Sequence, residues 1–242
     1  MKGVVLAGGL GTRLRPLTRV TNKHLLPVYN KPMIFYPIQT LVDAGVRDIM
    51  LVTGGSNAGD FLRLFGNGED FGLTQMNYAY QKNEGGIAEA LALAKTFVGD
   101  DKVVVILGDN FVQGTIRQAV TDFEAQPQGA KIFLKEVENP CDFGVAELKG
   151  DKVTRIIEKP EVPPSHHAVV GIYMYDAAVF DICATLEPSD RGELEITDVN
   201  NEYIRRGTMT YEILDGWWAD CGSFEALLRS NLLVAREHGV EV

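Results

Sequence analysis

The amino-acid sequence predicts an α/β fold, with a doubly wound, mostly parallel central sheet and an antiparallel sub-lobe added to it. Three observations carry this prediction. Short β-branched runs alternate with helix-like segments through residues 1–138, the βαβα rhythm of a parallel sheet. The run Lys102–Leu107 (KVVVIL) is almost uniformly apolar, as a strand covered by helices on both faces must be. After about residue 138, three strand-like runs follow one another across short turns, without the helices between them that parallel strands require.

Taken in order, Gly3–Ala7 is the first strand and leads at once into a Gly-rich turn. Pro32–Ala44 reads as a helix that Gly45 stops. Asp48–Thr53 is a strand, Ala58–Phe65 a helix, and Thr74–Tyr80 a strand by its alternation. Ile87–Phe97 is an Ala/Leu-rich helix leading to the central strand Lys102–Leu107. Gly114–Ala125 is helical and Lys131–Leu134 extended. Phe143–Leu148, Lys152–Ile157 and Val169–Tyr175 make the antiparallel set, interrupted by a Pro-rich loop over Pro160–Ser165. Ala177–Leu186, Thr197–Arg206 and Phe224–Glu237 read as helices, with Thr210–Leu214 a strand among them. No repeat, low-complexity tract or linker breaks the chain. Residues 1–242 are therefore expected to form one domain: a first part to about 138, a second over 139–222, and a C-terminal helix over 223–238.

At 242 residues and 45% apolar content, the chain can bury a core without covalent staples. Its 23 Lys and Arg against 33 Asp and Glu give a net charge of -10. That balance argues against nucleic acid or an anionic membrane as partner, since both need a basic face. It leaves open a small anion held by a few cations in one cleft. Cys141, Cys183 and Cys221 lie far apart, so neither a disulfide framework nor a zinc site is expected. No secretory signal is visible, and no apolar stretch nears the roughly 20 residues that span a bilayer. The expected compartment is the cytoplasm.

The chemistry begins in Leu6-Ala-Gly-Gly-Leu-Gly-Thr-Arg-Leu-Arg-Pro16. It follows the first strand, where an open α/β sheet places its ligand. Glycines let backbone N–H groups approach phosphates. A dinucleotide fingerprint starting at Gly9 would need glycine where Leu14 stands, and no Gly-Lys follows at P-loop spacing. Arg13, just beyond the turn, can clamp phosphate oxygens. Lys23, in Asn22-Lys-His-Leu-Leu-Pro-Val28, precedes an apolar run and can supply a second cation. Asp109 stands at the C-terminal end of the KVVVIL strand, beside the expected crevice. Asp220 lies in the short motif Trp218-Ala-Asp-Cys-Gly222.

LAGGLGTRLRP, NKHLLPV and Lys31-Pro-Met33 resemble the sugar-1-phosphate nucleotidylyltransferases. The likeness continues in the same order through Gln81…Gly86-Ile-Ala88, Leu107-Gly-Asp-Asn110, Phe143-Gly-Val145, Glu158-Lys-Pro160, Gly192-Glu-Leu-Glu-Ile-Thr-Asp198 and Trp218-Ala-Asp-Cys-Gly222. The resemblance implies a Rossmann-like nucleotidyltransferase fold whose added sub-lobe binds sugar. It implies attack by a sugar 1-phosphate oxygen on the α-phosphorus of a nucleoside triphosphate, with pyrophosphate leaving. The implied substrates are dTTP and glucose 1-phosphate, giving dTDP-glucose at the start of dTDP-rhamnose and related dTDP-sugar biosynthesis. UTP or another hexose 1-phosphate is the nearest alternative, and a non-catalytic nucleotide-sugar sensor a more remote one.

By the same resemblance, Arg13 and Lys23 are catalytic, and Asp109 and Asp220 hold Mg2+. Leu6, Gly8, Gly11, Thr12, Arg13, Lys23, Gln81, Gly86 and Asp109 bind the nucleotide. Asn110, Gly144, Glu158, Lys159, Val170, Tyr173 and Glu193 bind the sugar phosphate. Trp217 and Trp218 are expected to pack and to support Asp220. A homodimer or homotetramer is implied. The chain departs from the family in QKNEGGIAEA, which lacks two usual prolines and has Glu89 for a glutamine, and in His24, also in place of glutamine. It resembles the family's short form, so feedback control through a C-terminal extension is expected to be absent.

Overall fold

The computed structural model describes residues 1–241. The first strand, β1 (Lys2–Ala7), leads through β2 (Pro27–Val28), β3 (Lys31–Pro32) and α1 (Phe35–Asp43) to β4 (Asp48–Gly54). Then come α2 (Ala58–Phe65), β5 (Gln75–Gln81), α3 (Ile87–Ala92), α4 (Lys95–Val98) and β6 (Val103–Leu107). The remaining elements are β7 (Asn110–Val112), α5 (Arg117–Ala125), β8 (Ala130–Glu136), β9 (Gly144–Lys149), β10 (Lys152–Glu158), β11 (His167–Tyr175), α6 (Val179–Cys183), α7 (Ile196–Arg205), β12 (Met209–Ile213), β13 (Trp218–Asp220) and α8 (Phe224–Glu237).

Among the described residues, nine strands form one sheet. Its parallel half runs β5-β4-β1-β6. From β1 the chain crosses to β4 and β5 on one side, then returns to β6 on the other. The order therefore reverses between β1 and β6, and the crevice beyond their C-terminal ends is where such a sheet binds ligands. β11 pairs antiparallel with β6, β8 and β9, which brings the β9–β10 hairpin and the parallel pair β8–β12 onto the same sheet. The result is the mostly parallel, mixed sheet that the sequence predicts.

Alternation along the strands divides the core. Val4, Leu6, Val103, Val105 and Tyr173 pack with α3, α6 and α7. Val5, Ala7, Val104, Ile106 and Ile172 pack on the opposite face with α1, α2 and α5. Both faces of the sheet are thus covered, which explains why KVVVIL carries no polar alternation.

Several helices are shorter than their sequence patterns. The segment expected as Pro32–Ala44 becomes helical only at Phe35. Met33 and Ile34 donate their N–H groups to the carbonyls of Leu26 and His24, and Lys31–Pro32 pairs with Pro27–Val28. Tertiary hydrogen bonds thus override a helical pattern there. The Ala/Leu-rich run over 87–97 is broken into α3 and α4 by a turn at Leu93–Ala94. Gly114 is left-handed, with φ 81°, and the helix expected from it starts at Arg117. The helix expected over Ala177–Leu186 contracts to α6. Among the described residues no helix is long and apolar enough to cross a membrane.

Candidate active site

The Gly-rich turn leaves β1 and folds over the stem of Lys23. Gly11 is left-handed at φ 63°, and a Cβ there would lie 2.7 Å from the Lys23 Cβ. A Cβ on Gly8 would meet Gln81 Oε1 at 2.4 Å. At Gly11 glycine is required both by conformation and by contact, whereas at Gly8 a side chain would displace the end of the Gln81 amide. Asn22 anchors the segment beneath: its Nδ2 donates to the Ala7 carbonyl at 3.4 Å, and its Oδ1 accepts the His24 N–H at 2.9 Å. His24 is buried, 2.7 Å from the same oxygen through Nδ1. Burial, then the Lys23 charge, lower its pKa to about 3, so it is neutral. Arg13 is exposed in the 3-10 turn Thr12–Leu14. Its guanidinium lies over Gly222, where a Cβ would be 2.6 Å from Nη2.

The acidic centre faces this loop from the C-terminal end of β6. Lys23 Nζ forms a short ion pair with Asp109 Oδ2. Burial would depress the Lys23 pKa, but the Asp109 carboxylate outweighs it and the net direction is upward. Burial would likewise raise Asp109, yet the Lys23 charge holds it well below the usual carboxylate range. Asp220 joins from β13, opposite Asn110 in the β7 ladder, while the Cys221 N–H donates to the Asp109 carbonyl at 3.0 Å. Burial first, then the negative charge of Asp109, push Asp220 up to about 6. Two carboxylates that repel each other in a buried crevice fit a divalent cation. Among the described residues no cluster of three or more His, Cys, Asp or Glu could form an all-protein cage. Two carboxylates suit a hard ion that keeps waters and substrate phosphates as its other ligands. Cys221 is turned away, with Sγ 2.9 Å from Ser230 Oγ.

Beyond this centre opens a cavity of about 1020 Å³, bordered by Arg13, Asn110, Gly144, Glu158, Lys159 and Tyr173. Glu158 ends β10. Its Oε2 accepts from Thr197 Oγ1 at 2.7 Å, and its Oε1 lies 3.4 Å from Arg191. Lys159 is left-handed at φ 40°, although a residue before proline disfavours helical backbone. Its N–H donates to the Phe143 carbonyl at 3.0 Å, and that contact helps hold the strained conformation at the cavity wall. The Tyr173 hydroxyl is pushed well up by burial and by Glu158, so it stays protonated.

Gln81 occupies the end of β5. Its amide nitrogen donates to the Gly86 carbonyl at 3.2 Å and to Glu89 Oε1 at 3.1 Å. With both hydrogens committed, the amide presents its carbonyl oxygen to a ligand. Gly86, at φ 95°, lies against the Leu194 carbonyl, which a Cβ would approach to 2.5 Å.

A family model for nucleotidyl transferases matches residues 2–237. The chain belongs to the nucleotidyl transferase family. It is 44% identical over 231 residues to the glucose-1-phosphate thymidylyltransferase of Neisseria meningitidis, covering 94% of this chain and 80% of that one. The enzyme of the same name from Mycolicibacterium smegmatis is 45% identical over 232 residues, with the same coverage. A Bacillus anthracis protein described as a candidate glucose-1-phosphate thymidylyltransferase, crystallised with sucrose, superposes with a TM-score of 0.92 at 49% identity, covering 96% of this chain and 94% of that one. A UDP-glucose pyrophosphorylase complexed with UDP-glucose shares the fold, with a TM-score of 0.84 at 24% identity and 98% coverage of both chains.

In this nucleotidyl transferase, most residues expected at the site converge on one crevice, but not all side chains reach it. Val170 points away: it is 0% exposed and packs with Ile106, Ile172 and Met174 on the opposite face of the sheet. Its neighbours Val169 and Gly171 border the cavity instead, because side chains alternate along β11. The Leu6 side chain is buried toward α3, while its carbonyl accepts the Gly108 N–H at 2.8 Å. Thr12 is exposed at the rim, and Glu193 is drawn toward Arg191 at 3.6 Å. Sequence reasoning missed Arg191, which gathers Glu158, Glu193 and Glu195, and Thr197, which orients Glu158. It also missed Glu84, whose Oε1 accepts the Leu10 N–H at 3.2 Å in the Gly-rich turn. Arg191 and Thr197 flank or lie within the GELEITD run already singled out, and that was the available signal.

Proposed function

We propose that the protein transfers a thymidylyl group from dTTP to α-D-glucose 1-phosphate, giving dTDP-glucose and pyrophosphate. The observation that carries this reading is the crevice between β1 and β6. There Arg13 and Lys23 face Asp109 and Asp220, and the cavity continues to Glu158 and Lys159. Cations at one end suit a triphosphate. A carboxylate that can accept from hydroxyls, paired with an ammonium, suits a sugar phosphate at the other.

The reaction needs positioning and charge compensation more than proton transfer. A phosphate monoester near neutral pH is already largely ionised, so an oxygen of glucose 1-phosphate can attack the α-phosphorus without a general base. Arg13 and Lys23 bind the phosphates of dTTP and offset charge as pyrophosphate departs. Lys159 holds the attacking phosphate, and Glu158, oriented by Thr197, receives sugar hydroxyls. Asp109 and Asp220 would hold Mg2+, which when bound neutralises phosphate charge in the crevice. The carbonyl of Gln81 meets the N–H of the thymine imide edge.

Pyrophosphate release with four nucleoside triphosphates and several sugar 1-phosphates, with and without Mg2+, tests the reading. The fastest turnover is expected with dTTP and glucose 1-phosphate, and none without the metal. No turnover with any pair would overturn the assignment, and strong preference for UTP would overturn only the choice of base. A methyl group is worth about 1–3 kcal/mol of discrimination in an apolar pocket.

Glu89 provides a narrower prediction. Glu89→Ala frees the Gln81 amide to turn its nitrogen toward the base. The preference for dTTP over dCTP, measured as the ratio of kcat/KM, is expected to fall by about tenfold. An unchanged ratio would show that Glu89 does not set the orientation of Gln81.

A further inference from the structure

Trp218 reaches Asp109 through one intervening side chain. Asn110 is 0% exposed. Its Oδ1 accepts the Trp218 indole N–H at 2.8 Å and the Gly171 backbone N–H at 3.1 Å. Its Nδ2 donates to Asp109 Oδ1 at 3.0 Å, while Lys23 takes the other carboxylate oxygen. Two donors on the oxygen and an acceptor on the nitrogen permit only one orientation of the Asn110 amide. The backbone is built around this arrangement: a Cβ on Gly171 would lie 2.6 Å from Asn110 Oδ1. Phe143 holds the indole from the side, with ring centroids 5.0 Å apart. In the β13–β7 ladder Trp218 opposes Val112 and Asp220 opposes Asn110, so Trp218 and Asp220 share one face of a strand.

We propose that Trp218 is a positioning residue whose indole N–H, acting through Asn110, fixes the Asp109 carboxylate in the orientation that receives the divalent cation, and so sets the affinity for the metal. The inference rests on reading Asp109 as a cation ligand. Asn110 then acts chiefly on Asp109 and keeps one amide hydrogen for substrate. A tryptophan that only packed against Phe143 or bordered the sugar cavity would leave metal affinity untouched.

The test is Mn2+ binding to the full chain, followed by loss of the free-ion electron paramagnetic resonance signal. Trp218→Phe keeps an aromatic ring but loses the donor. It is expected to weaken Mn2+ binding by about tenfold, the low end of the range for losing a group that orients a metal ligand, since two hydrogen bonds in series separate the indole from Asp109. The metal concentration giving half-maximal rate should rise by the same factor. Asn110→Ala should weaken Mn2+ binding to a similar degree, and the double variant should show no further loss, because both cuts sever one chain of hydrogen bonds. Wild-type Mn2+ affinity in Trp218→Phe, or losses that add in the double variant, would overturn the proposal. Where Trp218→Phe does not fold, Asn110→Ala decides by the same measurement: a loss supports the relay and wild-type affinity overturns it. Unchanged Mn2+ binding in Asp109→Asn would instead overturn the reading of Asp109 as a ligand.

Discussion

Asp109→Asn is expected to lower kcat/KM by about a thousandfold, the upper range for removing one preorganised electrostatic group, and to lower the melting temperature as well. The two effects have separate causes. On the proposed role of Asp109 and Asp220 as cation ligands, catalysis is lost because a neutral amide is a poor ligand for a hard cation. Stability is lost because Lys23, only 15% exposed at its side chain, surrenders its ion-pair partner. Breaking a buried pair from one side costs about 3–5 kcal/mol. Relief of the repulsion between Asp109 and Asp220, which contributes to the raised Asp220 pKa, offsets part of that. The remainder corresponds to a drop of several degrees for a chain of this size, at about 2–4 °C per kcal/mol. Steady-state pyrophosphate release and thermal unfolding of the same preparation check both. A near-normal rate would remove the catalytic role, and an unchanged melting temperature would show that the ion pair contributes nothing to folding.

Arg13→Ala separates the same two quantities in the opposite way. Arg13 is exposed and forms no salt bridge within 4 Å among the described residues, so nothing buried is left unpaired when it is removed. Stability is expected to change by no more than about 0.5 kcal/mol, as for other surface positions. The rate is expected to fall by about a hundredfold, since the guanidinium proposed to clamp phosphate oxygens is lost from the mouth of the crevice. Arg13→Lys should recover only part of the rate, because an ammonium cannot engage two phosphate oxygens in a planar fork. Full activity in Arg13→Ala would place the phosphates elsewhere.

The parts of this architecture with a long period were legible in the sequence. KVVVIL announced a central strand because its five consecutive apolar residues after Lys102 leave no polar face for solvent. The Gly-rich turn announced a ligand because it followed a strand directly. The pairing of Lys23 with Asp109 was not legible: 86 positions separate them, and only the return of the chain from β5 across to β6 brings them together. β7 and β13 were invisible for another reason, since three residues are too few to display alternation. Val170 is a different case. Its alternation with Val169 and Gly171 was readable, and it turns the Val170 side chain away from the crevice, so only its backbone can face a ligand there. The helix expected from Pro32 failed because the carbonyls of His24 and Leu26, from a loop before it, capture its first N–H groups.

One strand gives the molecule a fixed ruler. β11 carries Tyr173 beside β6 and Ala168 beside β9, so the edge that ends in Asp109 and the hairpin that ends in Glu158 are fastened to the same piece of extended backbone. Among the described residues the path follows β11, with one register shift against β8 between Val169 and Tyr173, and a short turn at Gly108 from β6 to Asp109. On the proposed reading, the separation between the triphosphate and the hexose is measured along β11, at about 3.3 Å per residue of strand. A single rigid compound spanning both places would meet its two sets of contacts at one length, and a compound one strand residue too long or too short would have to give one set up.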